Sequence, residues 1–589
     1  MKKVLLTVLG LMSVLGLAAQ WNPQEELRLT DERALDFEAQ TNKDNITFVA
    51  FWKMVDEDPE KQGNRYSEGI DIAYFLQIVT KDGEKLFPDE GKLVSHEPTR
   101  SFTYGDDRAI MTDNEGNVIY IVKDERNAQS GTSEGYFVYK LSPTGEFLWD
   151  EPVDLDKGNA YELVANIKMI ELPDGSYLFA HDIYPDGRRS YIAIDKVSKT
   201  GEFVWDQPLL LTDNQISFGF PYLVDAGFGD FILVYTKGAG NYICAQKFDF
   251  EKEPVWSSEI SIYTGGFTVS PHLVIEVISD QRGGAIVGWY DDRYNTKYEQ
   301  AYVVHVLPNG TKGFVNDGGE GFRLNYNEGM RSFRPYLSYD PEGEILYAAW
   351  SEQNFNQAYR SVIVQKVLKD GTLSWSSQTE YDNQTVDLMG WYIDSGWPPE
   401  ETGFYSIQLA GQGKIIVFHQ HDYGAGNFTA NIATLLNTAG NGEHPEYIWE
   451  EKQRVFSPQQ GTRVDLRTSA LIDNEYYLAF WMSRGGVYAK KVLLDLPVSI
   501  QAPATGGNLL SIVSDKTNDE VKFIANSPAA GNASLDVYSV SGQIAAKLHF
   551  QVQAGETVIP WSTQKLSAGV YIARLTTPNG TQVKRFIVQ

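Results

Sequence analysis

Short apolar runs separated by turn residues recur along this chain, and they come in packets. The clearest packet reads FPYLVDAGFG, then DFILVYTK, then NYICAQKFDF, which is an apolar strand, a glycine turn, a second apolar strand and, after a polar step, a third. Equivalent pairs are RPYLSYDPEG with EILYAAWSE, KMIELPDG with SYLFAHD, and SALIDN with EYYLAFWMS. Runs this short, bounded by Gly, Asp and Asn, predict antiparallel strands joined by tight turns. Counting second strands gives about eight, around Phe48, Ile119, Leu178, Leu233, Val287, Leu346, Val417 and Leu478.

A repeat runs through the same region. LSPTGEFLW (141–149), VSKTGEFVW (197–205) and LKDGTLSW (368–375) are copies of one another, and looser copies end at Phe87, Trp256, Phe314 and Trp449. Neighbouring copies lie about 50 to 60 residues apart, which suits one four-stranded blade of a β-propeller. The prediction is an all-β chain with a propeller over residues 20–495, of about eight blades, with seven as the alternative because 21–90 and 379–450 are the least regular stretches. The last packet stops at its third strand, YAKKVLLD, while WNPQEELRLT near the start reads as a fourth strand lacking its first three. Joining the two closes the ring and removes an exposed edge.

Both ends of the chain carry other signals. MKKVLLTVLGLMSVLGLAAQ has two lysines, an apolar stretch and small residues, the layout of a cleavable leader over residues 1–19. No later run is long enough to span a bilayer. LPVSIQAPATGG reads as a linker over 496–509. Beyond it, VKFIAN, SLDVYSV, ETVIPW, GVYIARL and VKRFIVQ alternate apolar and polar positions, the pattern of an immunoglobulin-like antiparallel sandwich over 510–589.

Within that sandwich LDVYSVSGQ, LSAGVYIARL and NGTQVKRFIVQ, in this order and at the chain end, resemble the type A C-terminal sorting domain of the type IX secretion system. The resemblance implies export of a Gram-negative protein to the cell surface or medium, with the outer-membrane secretion machinery as partner. It places Gly542, Gly569, Tyr571, Lys584 and Arg585 in the family's motifs, and Asn526-Ser527-Pro528 stands where the family has an Asn-Pro turn. GWYDDR (288–293), AQKFD (245–249) and VQKVLKDG (364–371) likewise resemble bacterial repeat propellers, a likeness of architecture alone.

Composition narrows the partners. With 78 acidic against 50 basic residues and a net charge of −28, the chain repels phosphate backbones, so nucleic acid is not expected. The one cysteine, Cys244, cannot form an internal disulfide and reads as buried on a strand. A monomer is expected.

Candidate chemistry gathers where second strands end and first strands begin, because those loops open on one face of a propeller. It comprises Trp289, Asp291, Asp292, Arg293, Trp350, His419, His421 and Trp481, with Arg331, Arg334 and Arg467 from the loops that enter first strands. Aromatic faces beside Asp, Arg and His suit a glycan or an extracellular, host-derived protein, although packing between blades is the commoner role of such tryptophans. His419 and His421 project to one side of a strand and with Asp422 could touch a metal, but no third histidine is near, and no metal is assigned. Asp291 and Asp292 could hold calcium or form a carboxylate pair, against the simpler reading of a salt bridge to Arg293; no cofactor is implied. The favoured function is a non-catalytic binding module. The alternative is a sialidase-like glycoside hydrolase, although LSPTGEFLW does not fit the Ser-x-Asp-x-Gly-x-x-Trp repeat of sialidases. Trp149, Trp205, Trp256 and Trp375 read as contacts between blades.

Overall fold

The structure is a computed structural model. It describes residues 25–588 with interruptions, the longest at 56–71, 98–108, 265–274, 393–403 and 495–509. Among the described residues there is no helix, and the chain divides into two compact units, Met1–Leu494 and Asp495–Gln589.

The larger unit is a propeller-like succession of small antiparallel sheets. Sheet 1 lies within 34–95, sheet 2 within 109–154, sheet 3 within 163–211 and sheet 4 within 218–263. Sheet 5 lies within 276–323, sheet 6 within 330–392, sheet 7 within 404–460 and sheet 8 within 466–493. Each has four or five strands, and a separate hairpin pairs Ser376–Tyr381 with Gln384–Met389. The eight second strands anticipated from the apolar runs all fall in the second position of one of these sheets, for example Tyr177–Tyr184 in sheet 3 and Ala285–Asp291 in sheet 5.

These central strands are apolar on both faces because each sheet is covered on both sides. Val287 and Trp289 of sheet 5 pack with Ile232 and Val234 of sheet 4, while Ile286 packs with Leu346 and Trp350 of sheet 6. Every consecutive pair of sheets shares such a cluster. One more cluster joins Leu29, Phe37 and Phe51 to Leu478, Phe480 and Val487, that is, sheet 1 to sheet 8. Their first strands also touch, and Arg467 of sheet 8 grips Glu38 of sheet 1 through two bonds of 3.0 and 2.8 Å.

The N-terminal segment takes part in both of those sheets. Leu27 and Arg28 pair with Ala489 and Tyr488 as the fourth strand of sheet 8. Leu29 and Thr30, both fully buried, exchange hydrogen bonds with Val487, and Asp31 accepts from Lys53 of sheet 1 at 3.1 Å.

The repeat motif has a direct meaning in this architecture. Its glycine sits in a turn with positive φ, +82° at Gly145 and +89° at Gly201, where a side chain is disfavoured. A Cβ on Gly201 would lie 3.0 Å from the indole of Trp149, and one on Gly310 would lie 3.3 Å from that of Trp256. The Trp of one unit therefore roofs the Gly of the next. Its indole N–H also crosses over: Trp149 donates to the Lys199 carbonyl, Trp205 to that of Phe250 and Trp256 to that of Pro308, each at 3.1 Å.

The smaller unit has a three-stranded sheet, in the order Leu510–Asp515, Glu520–Ser527, Gly555–Ser562, and a four-stranded one. The latter runs Ile544–Val552, Gly531–Ser539, Gly569–Thr577, Gly580–Val588. Leu510, Phe523 and Ala525 of the first and Leu535, Val537, Ala573, Leu575 and Phe586 of the second share one core. Alternation of apolar and polar residues dictates this, since strands buried on one face only show a period of two.

Candidate functional site

Two sheets end their second strands in the same device. Asp124 in sheet 2 and Asp291 in sheet 5 are buried, and each is held by the arginine two residues on. Arg126 donates Nε to Asp124 Oδ1 at 3.0 Å and Nη2 to Oδ2 at 2.7 Å, and Arg293 donates Nε to Asp291 Oδ1 at 2.9 Å. The guanidinium then lies on a ring of the third strand, 3.9 Å from Phe137 and 4.2 Å from Tyr302. Burial opposes the charge on Arg293, but the hydrogen bonds and attraction of Asp291 outweigh it and raise the pKa above the usual value. Burial also lifts the Asp124 carboxyl above the ordinary range, despite Arg126. Trp289 completes the device in sheet 5 by donating its indole N–H to Asp291 Oδ2 at 2.8 Å. In sheet 6, Trp350 bonds Glu352 Oε1 at 3.0 Å in the same way.

Asp291, Trp289 and Trp350 are therefore fully buried, and their side chains are not presented to solvent. Trp481 is also fully buried, in the cluster between sheets 7 and 8. His419 is buried with Nε2 3.1 Å from the Thr434 hydroxyl, within sheet 7. Arg334 and Gly542 lie outside the described residues, as do the side chains of His421 and Arg585. In the smaller unit, Gly569 and Tyr571 open the strand Gly569–Thr577, where Tyr571 stacks on Phe586 with ring centres 5.8 Å apart. Lys584 is opposite Ala573 in the terminal strand.

What the fold does bring together lies where sheets 5 and 6 meet, at the end where second strands leave and first strands enter. Arg331 donates to Glu299 through Nε at 2.7 Å and Nη2 at 2.6 Å, and the backbone N–H of Ser332 bonds the Glu299 carbonyl at 2.7 Å. Beside this fork, Tyr290 and Phe333 meet edge to face with ring centres 6.2 Å apart, and the Arg331 guanidinium is 5.8 Å from the Phe333 ring. Arg331 and Glu299 keep about a third and a quarter of their side chains exposed, 32% and 27%. Tyr290, Asp292 and Phe333 are half-buried.

Two carboxylates here are displaced in opposite directions. Burial raises Asp292, with repulsion from Glu299 and Asp291 adding to it. Burial would raise Glu299 as well, but the bonds from Arg331 reverse that and hold it below the usual range. Sequence reading found Asp292 and Arg331, with Tyr290 beside them in GWYDDR, but missed Glu299 and Phe333. Their only sequence signal is a position next to a strand end, and the partner of Arg331 lies 32 residues away.

A second polar group is sealed between sheets 2 and 3. His181, 2% exposed, stacks on Tyr136 with ring centres 5.3 Å apart, and its Nε2 is 3.6 Å from Asp156 Oδ1. Burial pushes the imidazole down to about 3 and Asp156 well above the usual carboxylate range, so the site opposes charge on both. Among the described residues no group of three or more His, Cys, Asp or Glu is arranged to hold a metal, and no helix is long and apolar enough to cross a membrane.

Residues 517–589 match the family described as the secretion system C-terminal sorting domain. The chain is thus an exported protein with a type IX sorting domain, directed to the extracellular space or outer-membrane surface, and that domain interacts with the secretion machinery. The first strand of the sandwich, Leu510–Asp515, precedes the matched residues, yet Leu510 is wholly buried in its core. No curated protein matches the chain.

Similar solved structures include an ulvan lyase of polysaccharide lyase family PL25, at 11% identity and a TM-score of 0.39 over 80% of this chain and 98% of that one. The Dos1 propeller is similar at 10% identity and 0.36 over 79% and 94%. An α-L-arabinanase of Penicillium chrysogenum complexed with arabinobiose is similar at 12% and 0.31 over 68% and 96%. Likeness at these values assigns no activity to this chain.

Proposed function

We propose that residues 20–495 form an eight-bladed propeller closed by the N-terminal strand, and that this propeller binds a neutral, hydroxyl-rich ligand, a glycan, without transforming it. In this reading residues 1–19 are a leader removed on export, 496–509 a linker and 510–589 an immunoglobulin-like address. The cluster joining Phe37 and Phe51 to Leu478 and Phe480 supports closure, as does the pairing of Leu27 with Ala489. The three-plus-four strand count of the smaller unit supports the immunoglobulin-like reading.

The observation that carries the ligand class is the Arg331–Glu299 fork beside Tyr290 and Phe333. Half-buried rings offer apolar faces to the C–H side of a sugar, and Asp292 and Glu299 accept its hydroxyl protons. Arg293 and Arg331 are each engaged by a carboxylate, which leaves little to attract an anionic sugar and disfavours a sialidase-like site. The full mature chain on a glycan array should bind neutral oligosaccharides, with Tyr290→Ala and Phe333→Ala each weakening binding about tenfold or more, in the range of lost aromatic contacts. Binding indifferent to both substitutions, or absent, refutes the reading.

A second reading is a glycoside hydrolase, favoured by the opposite displacement of the Asp292 and Glu299 carboxyls, one raised and one lowered, as an acid and base pair requires. Release of reducing ends from a bound glycan, abolished by Asp292→Asn, would establish it over the first.

A further inference from the structure

The two sheets of the C-terminal unit have four outer edges, and three of them are obstructed. The terminal strand Gly580–Val588 lies against Leu510–Asp515, so these two edges cover one another. Gly555–Ser562 carries Pro560, which has no N–H to offer a new strand and is a common guard of edges. The fourth edge is Ile544–Val552, nine residues without proline or glycine. Its inner side pairs with Gly531–Ser539, continuously from Ala546 to Val552 and with a register shift at Ala545, and among the described residues no strand pairs with its outer side.

The strand is well fixed and still open. Ala546, Leu548, Phe550 and Val552 pack into the core, while Lys547, His549 and Gln551 are exposed on the other face. Beyond the irregularity at Ala545, the edge from Ala546 to Val552 is fixed on its inner side and presents outward N–H and C=O groups that another extended chain satisfies best.

We infer that Ile544–Val552 is the docking edge of the sorting domain, where an extended strand of the outer-membrane secretion machinery adds to the four-stranded sheet. This rests on the sorting-domain assignment and is independent of the ligand reading of the propeller. The machinery already interacts with this domain. Antiparallel self-pairing about Lys547 would set that residue against its own copy, and like charges directly opposite are destabilising. Residues 510–589 hold seven Lys or Arg against five Asp or Glu in a chain whose net charge is −28, so the address is basic where the rest is acidic. The strand that docks carries neutral or acidic side chains opposite Lys547 and His549.

Amide hydrogen exchange on the full mature chain, alone and with the purified outer-membrane secretion complex, tests this. The outward amides of 544–552 exchange rapidly in the free chain and slow at least tenfold on addition of the complex. Protection confined to 580–588, with 544–552 unchanged, overturns the inference, and so does protection of 544–552 that rises with concentration of the chain alone, which means self-pairing. In producing cells, the double variant Lys547→Glu, His549→Glu should fold with an unaltered melting profile and lose at least tenfold in surface appearance. Normal export of a folded double variant contradicts the charge assignment of the docking strand.

Discussion

The indole N–H of Trp149 in sheet 2 bonds the Lys199 carbonyl in sheet 3 at 3.1 Å, and the same ring covers Gly201, two residues beyond that carbonyl. One contact thus accounts for both fixed letters of the repeat, the glycine and the tryptophan, which belong to the same motif but act on different neighbours.

Gly201→Ala places a Cβ against Trp149 at a φ of +89° and should cost about 1 to 3 kcal/mol, combining overpacking with a disfavoured backbone. Trp149→Phe keeps most of the apolar contact and loses the bond to Lys199, about 0.5 to 1.5 kcal/mol plus the smaller ring's packing. Chemical denaturation followed by Trp fluorescence orders the two. Because both act on one contact, the double variant should lose less than the sum.

Asp291→Asn leaves Arg293 buried between Tyr263 and Tyr302 without its carboxylate. Breaking such a pair costs about 3 to 5 kcal/mol, so the melting temperature of the larger unit falls. If Asp291 instead served a ligand, the substitution would abolish binding at unchanged stability, and a melting curve beside a binding isotherm distinguishes the two.

His181 gives the larger unit an acid sensitivity with a defined sign. Its folded-state pKa, about 3, lies below the unfolded value of 6.5, so its contribution is complete above pH 6.5 and is lost as pH falls toward the folded value. The slope is at most about 1.4 kcal/mol per pH unit, and Asp156, raised in the folded state, works in the opposite sense below its own folded pKa. His181→Phe keeps the stack on Tyr136 and removes the histidine's share. Urea midpoints at pH 7.5 and 5 should show the variant losing less stability on acidification than the parent.

Glu299→Gln removes the partner that engages Arg331. The freed guanidinium should draw carboxylated sugars to the site, with a gain of about tenfold relative to neutral ones, the scale of one charge-assisted bond. An array comparing parent and variant reads this directly, and an unchanged preference contradicts the neutral-ligand account.

The sequence exposed whatever is periodic. Strands of five to ten apolar residues between Gly and Asp turns, and the Trp–Gly repeat, repeat because each sheet solves the same packing problem, so the second strands from Phe48 to Leu478 could be located without coordinates. What the sequence hid is pairwise and non-local. Nothing near Arg331 announces Glu299, and nothing in GWYDDR says that Asp291 is enclosed by Trp289 and Arg293 while Asp292 stays at the surface. Phe220, with a φ of +53°, is another such case: the Asp182 carboxylate of sheet 3 accepts its backbone N–H at 3.1 Å, an arrangement no local pattern encodes.

The central claim, a ring closed by its N-terminal strand, is tested most directly by cross-linking the seam. Leu27→Cys with Ala489→Cys joins residues that face each other across that pair, at a separation antiparallel strands and disulfides share. Cys244 is buried, with its thiol pushed up to about 12, and stays out of the exchange. Closure predicts a fast-migrating monomer on a non-reducing gel with no free engineered thiol, whereas two reactive thiols or disulfide-linked dimers would mean that the seam is open.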